Sequence, residues 1–384
     1  MMREVSIIGI GQTPVGEHWE TDLRSLGIGA IRAAMEDGGI KQVDALYIGS
    51  AYGATVSSQS QIGPLIADYA GLRGVESFTI EAGDASGGAA LRTGYLAVAS
   101  GAVDTAVVLG VEKSTDTVGA DRIAARSVSL DADYESVHGA TLPALAALLM
   151  RRYMFEYGVE LSAFENFSIN AHANGAKNPN AMYHNLLKPG GFARAPMIAD
   201  PVTLFDGAPD ADGAAAVILT SREGAGNFPV KPVHIIASAA ATDTLTLHDR
   251  GDLLDFEAVR LSVDKSLAQA GISRADLDLF ELHDAFTIIS TLTLESAGFA
   301  VRGEGWRAAA DQEISLTATL PLSTFGGLKS RGNPVGATGV YQAVEAALQL
   351  RGEAGGNQVP DAHTAMIQNM GGLGSTVITH ILKS

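Results

Sequence analysis

Apolar positions along the chain switch between two periods. Short runs of β-branched and aliphatic residues are followed by longer segments in which apolar residues recur every three to four positions, the pattern of strands alternating with amphipathic helices. The first run, residues 5–10, stops at Gly11, and Gln12-Thr13-Pro14 reads as a turn. Thr21-Asp22 then caps a helix that carries Leu23, Leu26, Ile28, Ile31 and Met35 and ends at Gly38-Gly39. A second strand is expected over 43–49, a helix over 57–69, a third strand over 77–81 and a helix over 86–100. The continuous apolar run 104–111 predicts a strand buried on both faces. Strands and helices in alternation imply a layered α/β core.

The rhythm breaks between residue 112 and about residue 201. A polar stretch, 113–126, precedes a long apolar helix, 141–157, and then His172-Ala173-Asn174-Gly175-Ala176-Lys177-Asn178-Pro179. This is expected to be an inserted excursion of helices and loops, which in a compact α/β unit serves a site or an interface. Residues 212–219 return the chain to a buried strand. After it the pattern repeats: the helix, Gly-Ile, Asp and strand of residues 30–46 are echoed by residues 263–279. Two related halves are therefore expected, 1–225 with the excursion inside it and 226–384.

Composition narrows the chemistry. With 46% hydrophobic and 18% charged residues the chain builds one or two substantial cores. A net charge of -17 with no basic-aromatic patch excludes a nucleic-acid surface. The absence of any cysteine excludes disulfides, Cys metal sites and a thiol nucleophile. No metal-ligand spacing occurs. The opening residues lack the apolar length of a signal peptide and no run reaches ~18 apolar residues, so a cytoplasmic protein without a membrane span is expected.

One stretch organises the rest. Residues 79–90 (Thr-Ile-Glu-Ala-Gly-Asp-Ala-Ser-Gly-Gly-Ala-Ala) run from an apolar strand through a small-residue turn into a helix, an elbow with its apex at Asp84. The first turn of such a helix offers unpaired N–H groups and the positive end of the helix dipole. Ser86 stands one position late for a Gly-x-Ser-x-Gly nucleophile elbow. Three more segments share this small-residue, loop-forming character. Glu281-Leu282-His283-Asp284-Ala285-Phe286 ends a strand, 326–339 is a Gly-rich loop that feeds a helix and contains Gly332-Asn333-Pro334, and Asn369-Met370-Gly371-Gly372-Leu373-Gly374-Ser375 precedes the last strand.

In order and spacing these four segments resemble the active-site loops of the thiolase superfamily. The His-Asp-Ala-Phe form of the second matches the branch of sterol-carrier-protein-x and archaeal acetyl-CoA acetyltransferases. The resemblance spans nearly the whole chain, including Gly110-Val111-Glu112-Lys113. It implies two βαβαβαββ halves in a layered αβαβα arrangement with an inserted loop domain, assembled as a homodimer or dimer of dimers. It also implies making or breaking a C–C bond beside a coenzyme A thioester, which is substrate rather than a permanently bound cofactor. A small zinc-ribbon/OB-fold partner protein is implied as well.

Carried onto this chain, the resemblance puts Asp84 where the family has its acyl-accepting Cys and Asn333 where it has the His of a Gly-His-Pro loop. His283 is retained, and so are Gly371 and Gly372, whose N–H groups face an oxyanion. Lys177, Lys329 and Arg331 are candidate contacts to the CoA phosphates. Tyr341 is a further candidate for the pocket. His138, His172, His184, Tyr134, Tyr153, Tyr157 and Tyr183 are expected to be packed or solvated side chains.

Asp84 does not replace a thiol. A carboxylate attacking a thioester forms a mixed anhydride that readily reverts, so the residue is either an N-cap or a general base that anchors a substrate hydroxyl. Asn333 exchanges hydrogen bonds but shuttles no proton near neutral pH, so it either holds the turn before Pro334 or orients a carbonyl. His283 is either a satisfied core histidine or a donor to an enolate. Three readings remain open: a C–C lyase or ligase without an acyl-enzyme, such as a retro-aldol enzyme for 3-hydroxyacyl-CoA; a non-catalytic acyl-CoA-binding scaffold subunit; and a thiolase whose Cys has been substituted.

Overall fold

The structure, a computed structural model, describes residues 2–384. The first half runs β1 (Val5–Gln12), α1 (Leu23–Asp37), β2 (Ala45–Gly49), α2 (Gly53–Val56), α3 (Ile62–Tyr69), β3 (Glu76–Ile80), α4 (Ser86–Ser100) and β4 (Thr105–Glu112). The excursion holds α5 (Gly119–Arg126), α6 (Leu142–Tyr157), α7 (Glu165–Gly175) and a short hairpin, β5 (Met197–Ala199) and β6 (Val202–Thr203). After β7 (Gly213–Ser221) and α8 (Arg222–Ala225) come β8 (Val233–Thr242), α9 (Glu257–Ala270), β9 (Leu279–Glu281), α10 (Thr287–Ser296), α11 (Arg307–Ala310), α12 (Thr338–Arg351), β10 (Thr364–Gly371) and β11 (Thr376–Lys383).

Nine of these strands form one sheet in the order β3-β2-β4-β7-β1-β8-β11-β10-β9. β2 lies parallel to β3 and β4, and β9 parallel to β10, while antiparallel pairing of Val5–Ile7 with Val233–Ile235 joins the two halves. The burial on both faces expected of 104–111 is observed, and it sorts the side chains into two cores. Ala106 and Val108 enter the layer between the halves with Leu91 of α4 and Val340 and Val344 of α12, whereas Val107 and Leu109 enter the outer layer with Leu26 and Ile31 of α1. In β10, Ala365 and Ile367 face the middle layer and Met366 and Met370 an outer core with α9 and α10.

The internal echo is geometric as well as textual. Past α1 and α9, Gly39 (φ 64) and Gly271 (φ 68) take left-handed backbone, and the N–H of the following Ile reaches back five residues, Ile40 to Met35 (2.9 Å) and Ile272 to Leu267 (3.2 Å). Asp44 then accepts from the N–H groups of Asp104 and Thr105, and Asp278 from those of His363 and Thr364, each tying the start of a strand to its parallel neighbour.

Two expectations are corrected. The helix drawn over 57–69 begins only at Ile62, because Ser58 (φ 49) and Gln61 (φ 58) are in left-handed backbone that no helix continues through. The second half contributes four strands to the sheet, not five; its remaining strand is an isolated bridge between Phe280 and Leu322, where Pro321 has no N–H to extend a ladder.

The helices of the middle layer meet through glycine. A Cβ built on Gly87 would stand 2.8 Å from Gly336 O, and one on Gly339 2.3 Å from Gly88 N. This contact seats the N-terminus of α4 against that of α12, and so the elbow against the Gly-rich loop. The excursion is clamped at its ends: Asp212 accepts from the N–H groups of Ser114 (2.7 Å) and Thr115 (2.9 Å) and pairs with Lys113 Nζ (2.8 Å). Among the described residues no helix is long and apolar enough to cross a membrane.

Candidate active site

The elbow forms as expected, with Gly83 in left-handed backbone (φ 58) between β3 and α4. Ser86 is spent on the turn itself, donating to Gly83 O (2.6 Å) and accepting from Ala82 N (3.0 Å). The cap position of α4 falls on Ala85, and Asp84 caps nothing, so the N-cap reading of Asp84 is set aside. Its carboxylate, 4% exposed, instead accepts from the phenol of Tyr52 (Oδ1, 3.3 Å) and pairs with Arg126 Nη2 (Oδ2, 3.2 Å). Arg126, at the end of α5, also pairs with Asp210 and lies over the Tyr52 ring (5.5 Å to the centroid).

Burial, reinforced by the Asp84 charge, holds the Tyr52 phenol well above its ordinary range, so it stays a hydrogen-bond donor. Its loop is pinned by Glu112 at the end of β4. The two Glu112 oxygens accept from Ala51 N (2.7 Å), Tyr52 N (3.2 Å), Ser50 Oγ (3.2 Å) and Gly336 N (3.1 Å). Burial pushes this carboxyl up to about 7 against the pull of those donors. Since every partner is a donor, Glu112→Gln turns an amide N–H toward N–H groups. It is expected to cost about 2 kcal/mol of stability in thermal unfolding at neutral pH.

The Gly371–Gly372 turn abuts the elbow: a Cβ on Gly83 would stand 3.7 Å from Gly371 Cα and 3.8 Å from Gly372 N. Asn333 is tied to the facing loop, its Oδ1 accepting from Val335 N (3.1 Å) and Thr338 Oγ1 (2.9 Å). It therefore holds the turn before Pro334 with its oxygen and keeps its Nδ2 amide as the group it can offer the site. His283 is 1% exposed, and burial lowers its pKa to about 4, with the charges of Arg331 and Arg126 acting in the same direction and that of Asp84 against it. Gly88 N donates to Asn369 Oδ1 (2.9 Å), which turns Asn369 Nδ2 toward His283 Nδ1 (3.3 Å). His283 is thus a neutral imidazole with its proton on Nε2.

Asp84, Arg126, Asp210, Asn333 and Gly372 share the wall of one cavity of about 820 Å³ between the elbow and the excursion. Much of that wall is apolar, from Leu130, Leu142, Leu187, Val202, Phe205 and Phe286. His283 and Gly371 are not part of this wall. Of the three basic residues considered for CoA, Lys329 lines the cavity, Lys177 is an exposed residue beside Gly356, and Arg331 does neither. Arg331 is 1% exposed, pairs with Glu345 (2.7 Å) and lies over the Tyr341 ring, so it is a core ion pair and not a surface contact for a phosphate. Tyr341 is also buried, donating to Thr13 O (2.9 Å), and does not face the cavity. His172 and Tyr183, expected to be packing residues, line it.

Tyr52, Arg126 and Asp210 have no motif around them that marks them in the sequence. They reach Asp84 and its neighbours across the fold, and Arg126 comes from the least patterned part of the excursion.

The comparisons with known proteins agree with this architecture. The model of the thiolase N-terminal domain matches residues 5–187, and that of the thiolase C-terminal domain-like family matches residues 239–384. The chain is 41% identical over 384 residues, the full length of both, to an acetyl-CoA acetyltransferase of Methanothermobacter thermautotrophicus. It is 26% identical to human sterol carrier protein 2, over 98% of this chain and 72% of that one. Among solved structures, one described as an Ltp2-ChsH2(DUF35) aldolase superposes with a TM-score of 0.87 at 25% identity, covering 100% of this chain and 98% of its own. The protein belongs to the thiolase family.

Proposed function

We propose that this thiolase-family protein cleaves, and in reverse forms, a C–C bond beside a CoA thioester by an aldol-type reaction without an acyl-enzyme. The observation that carries the reading is the apex of the elbow: a carboxylate held by Tyr52 and Arg126 on the cavity wall, in a chain with no cysteine. The substrate class is a 3-hydroxyacyl-CoA.

In cleavage, Asp84 takes the proton of the C3 hydroxyl, C3–O becomes a carbonyl, and the C2–C3 bond breaks. Its electron pair passes into the thioester as an enolate. Asn333 Nδ2 and the backbone at Gly372, both on the cavity wall, supply donors to the thioester oxygen as charge builds there. Return of the proton from Asp84 to C2 releases the shortened acyl-CoA and leaves the enzyme unchanged. Arg126 pairs with one Asp84 oxygen and the Tyr52 phenol donates to the other, so the two fix the orientation of the carboxylate. Tyr52→Phe removes one hydrogen bond to the carboxylate and is expected to lower kcat about 10-fold with KM nearly unchanged, read in steady-state kinetics.

The name of the archaeal relative supports a second reading, thiolase-type acyl transfer. It requires a nucleophile that Asp84 does not provide. Incubation with acetoacetyl-CoA plus CoA, and separately with a panel of 3-hydroxyacyl-CoAs, separates the two. Aldehyde or ketone release from the hydroxyacyl-CoAs supports the lyase. CoA-dependent thiolysis by the unaltered protein overturns it, whereas thiolysis gained only by Asp84→Cys with Asn333→His marks a thiolase whose Cys was substituted.

The aldolase structure is described together with a second component, ChsH2(DUF35), which supports a small partner subunit for this chain also. Co-purification of a neighbouring small protein, followed by size-exclusion chromatography, tests that assembly and the homodimer expected alongside it.

A further inference from the structure

The cavity that holds Asp84 has a second polar place on its wall, built where α7 packs on the turn at residues 327–331. His172 is 5% exposed, stacked on Tyr183 (centroids 6.0 Å apart, planes at 12°), with Nδ1 2.8 Å from Asn185 O. A carbonyl only accepts, so Nδ1 carries the ring proton and Nε2 is a bare acceptor. That Nε2 is buried without a partner, on a ring lining the cavity. Burial, helped by the nearby Lys329 charge, lowers the His172 pKa and keeps the acceptor unprotonated.

Lys329, also 5% exposed, lines the same cavity and donates to Leu204 O (3.0 Å) and Gly207 O (2.6 Å). An ammonium has three protons, so one remains. The place thus presents one donor and one acceptor, both desolvated, among Leu186, Leu187 and Phe205. An alcohol carries both a proton for the acceptor and lone pairs for the donor. A ketone leaves Nε2 unpaired, and a carboxylate sets its lone pairs against the Nε2 lone pair.

We propose that His172 Nε2 and Lys329 Nζ form a specificity subsite for a hydroxyl group carried on the apolar acyl portion of the substrate, away from the reacting carbons. The cavity volume supports this, since about 820 Å³ is near the upper end of what a drug-sized ligand fills and exceeds the need of a short acyl group. The proposal rests on the reading that this cavity receives a CoA thioester. It does not rest on the retro-aldol step.

The test is binding, so that its failure and a failure of the chemistry are distinguishable. Calorimetric titration compares CoA, decanoyl-CoA and decanoyl-CoA isomers bearing a hydroxyl at successive positions from mid-chain to the terminus. None of these has the 3-hydroxyl needed for cleavage. At least one hydroxylated isomer is expected to bind about 10-fold more tightly than decanoyl-CoA, the yield of a buried hydrogen-bond pair. His172→Phe is expected to erase that preference while decanoyl-CoA binds as before, and His172→Gln, which restores an acceptor, to recover part of it. Equal binding of every isomer and decanoyl-CoA by the unaltered protein overturns the proposal whether or not the variants fold. So does a preference that survives His172→Phe. Loss of affinity for CoA itself in His172→Phe also overturns it, by assigning the place to the pantetheine arm.

Discussion

Asp84→Asn is expected to reduce cleavage of a 3-hydroxyacyl-CoA by ~10³-fold in kcat while leaving CoA-ester binding intact, because it removes the base but almost none of the volume. The amide oxygen still accepts from Tyr52, and Arg126 keeps its second carboxylate, Asp210, so the elbow has little reason to move. Single-turnover kinetics with a fluorescent carbonyl trap, paired with calorimetric binding, reads both quantities. A variant that turns over at the unaltered rate removes Asp84 from the role of base. A variant that loses binding in equal measure makes it an anchor instead.

Gly339→Ala is expected to produce the largest structural effect. The new methyl would stand 2.3 Å from Gly88 N and 2.4 Å from Asn369 Oδ1, two atoms already bonded to each other at 2.9 Å. Gly88 N is backbone and Asn369 is a buried side chain held by that hydrogen bond, so α4 and α12 must separate, at a cost of about 3 kcal/mol in chemical unfolding. The same shift moves Thr338 at the start of α12, whose hydroxyl holds Asn333 Oδ1 (2.9 Å), so kcat falls with stability. Gly251→Ala, whose Cβ meets nothing within 4 Å, is the control and is expected to stay within ~0.5 kcal/mol.

What the sequence made legible was local. Period-2 and period-3.6 patterns located most strands and helices, small residues located the elbow and the Gly-rich turns, and the echo between 30–46 and 263–279 survives as matching Gly caps and matching Asp tethers. Misreadings came where local pattern does not decide. The helix drawn from residue 57 rested on composition alone, while its true start is set by positive φ at Ser58 and Gln61.

Lys329 and Arg331 looked equivalent as basic loop residues two positions apart. The tight turn at Gly327–Arg331 points one at the cavity and the other at Glu345 in the core. The partners of Asp84 were hidden for a different reason. Tyr52 and Arg126 lie 32 and 42 positions away and meet the elbow only through tertiary packing, which a single sequence does not encode at any fixed spacing. His172 passed as a packing residue because nothing around it signals that Nε2 is left without a partner.

Bond cleavage at a CoA thioester without a covalent acyl intermediate leaves a signature in intact-mass spectrometry during turnover of a 3-hydroxyacyl-CoA. Stoichiometric release of a carbonyl compound and a shortened acyl-CoA, no dependence on added free CoA, and an enzyme mass that never changes are expected. An acyl adduct on the protein, a requirement for free CoA, or CoA-ester binding with no turnover at all is incompatible with an aldol-type lyase.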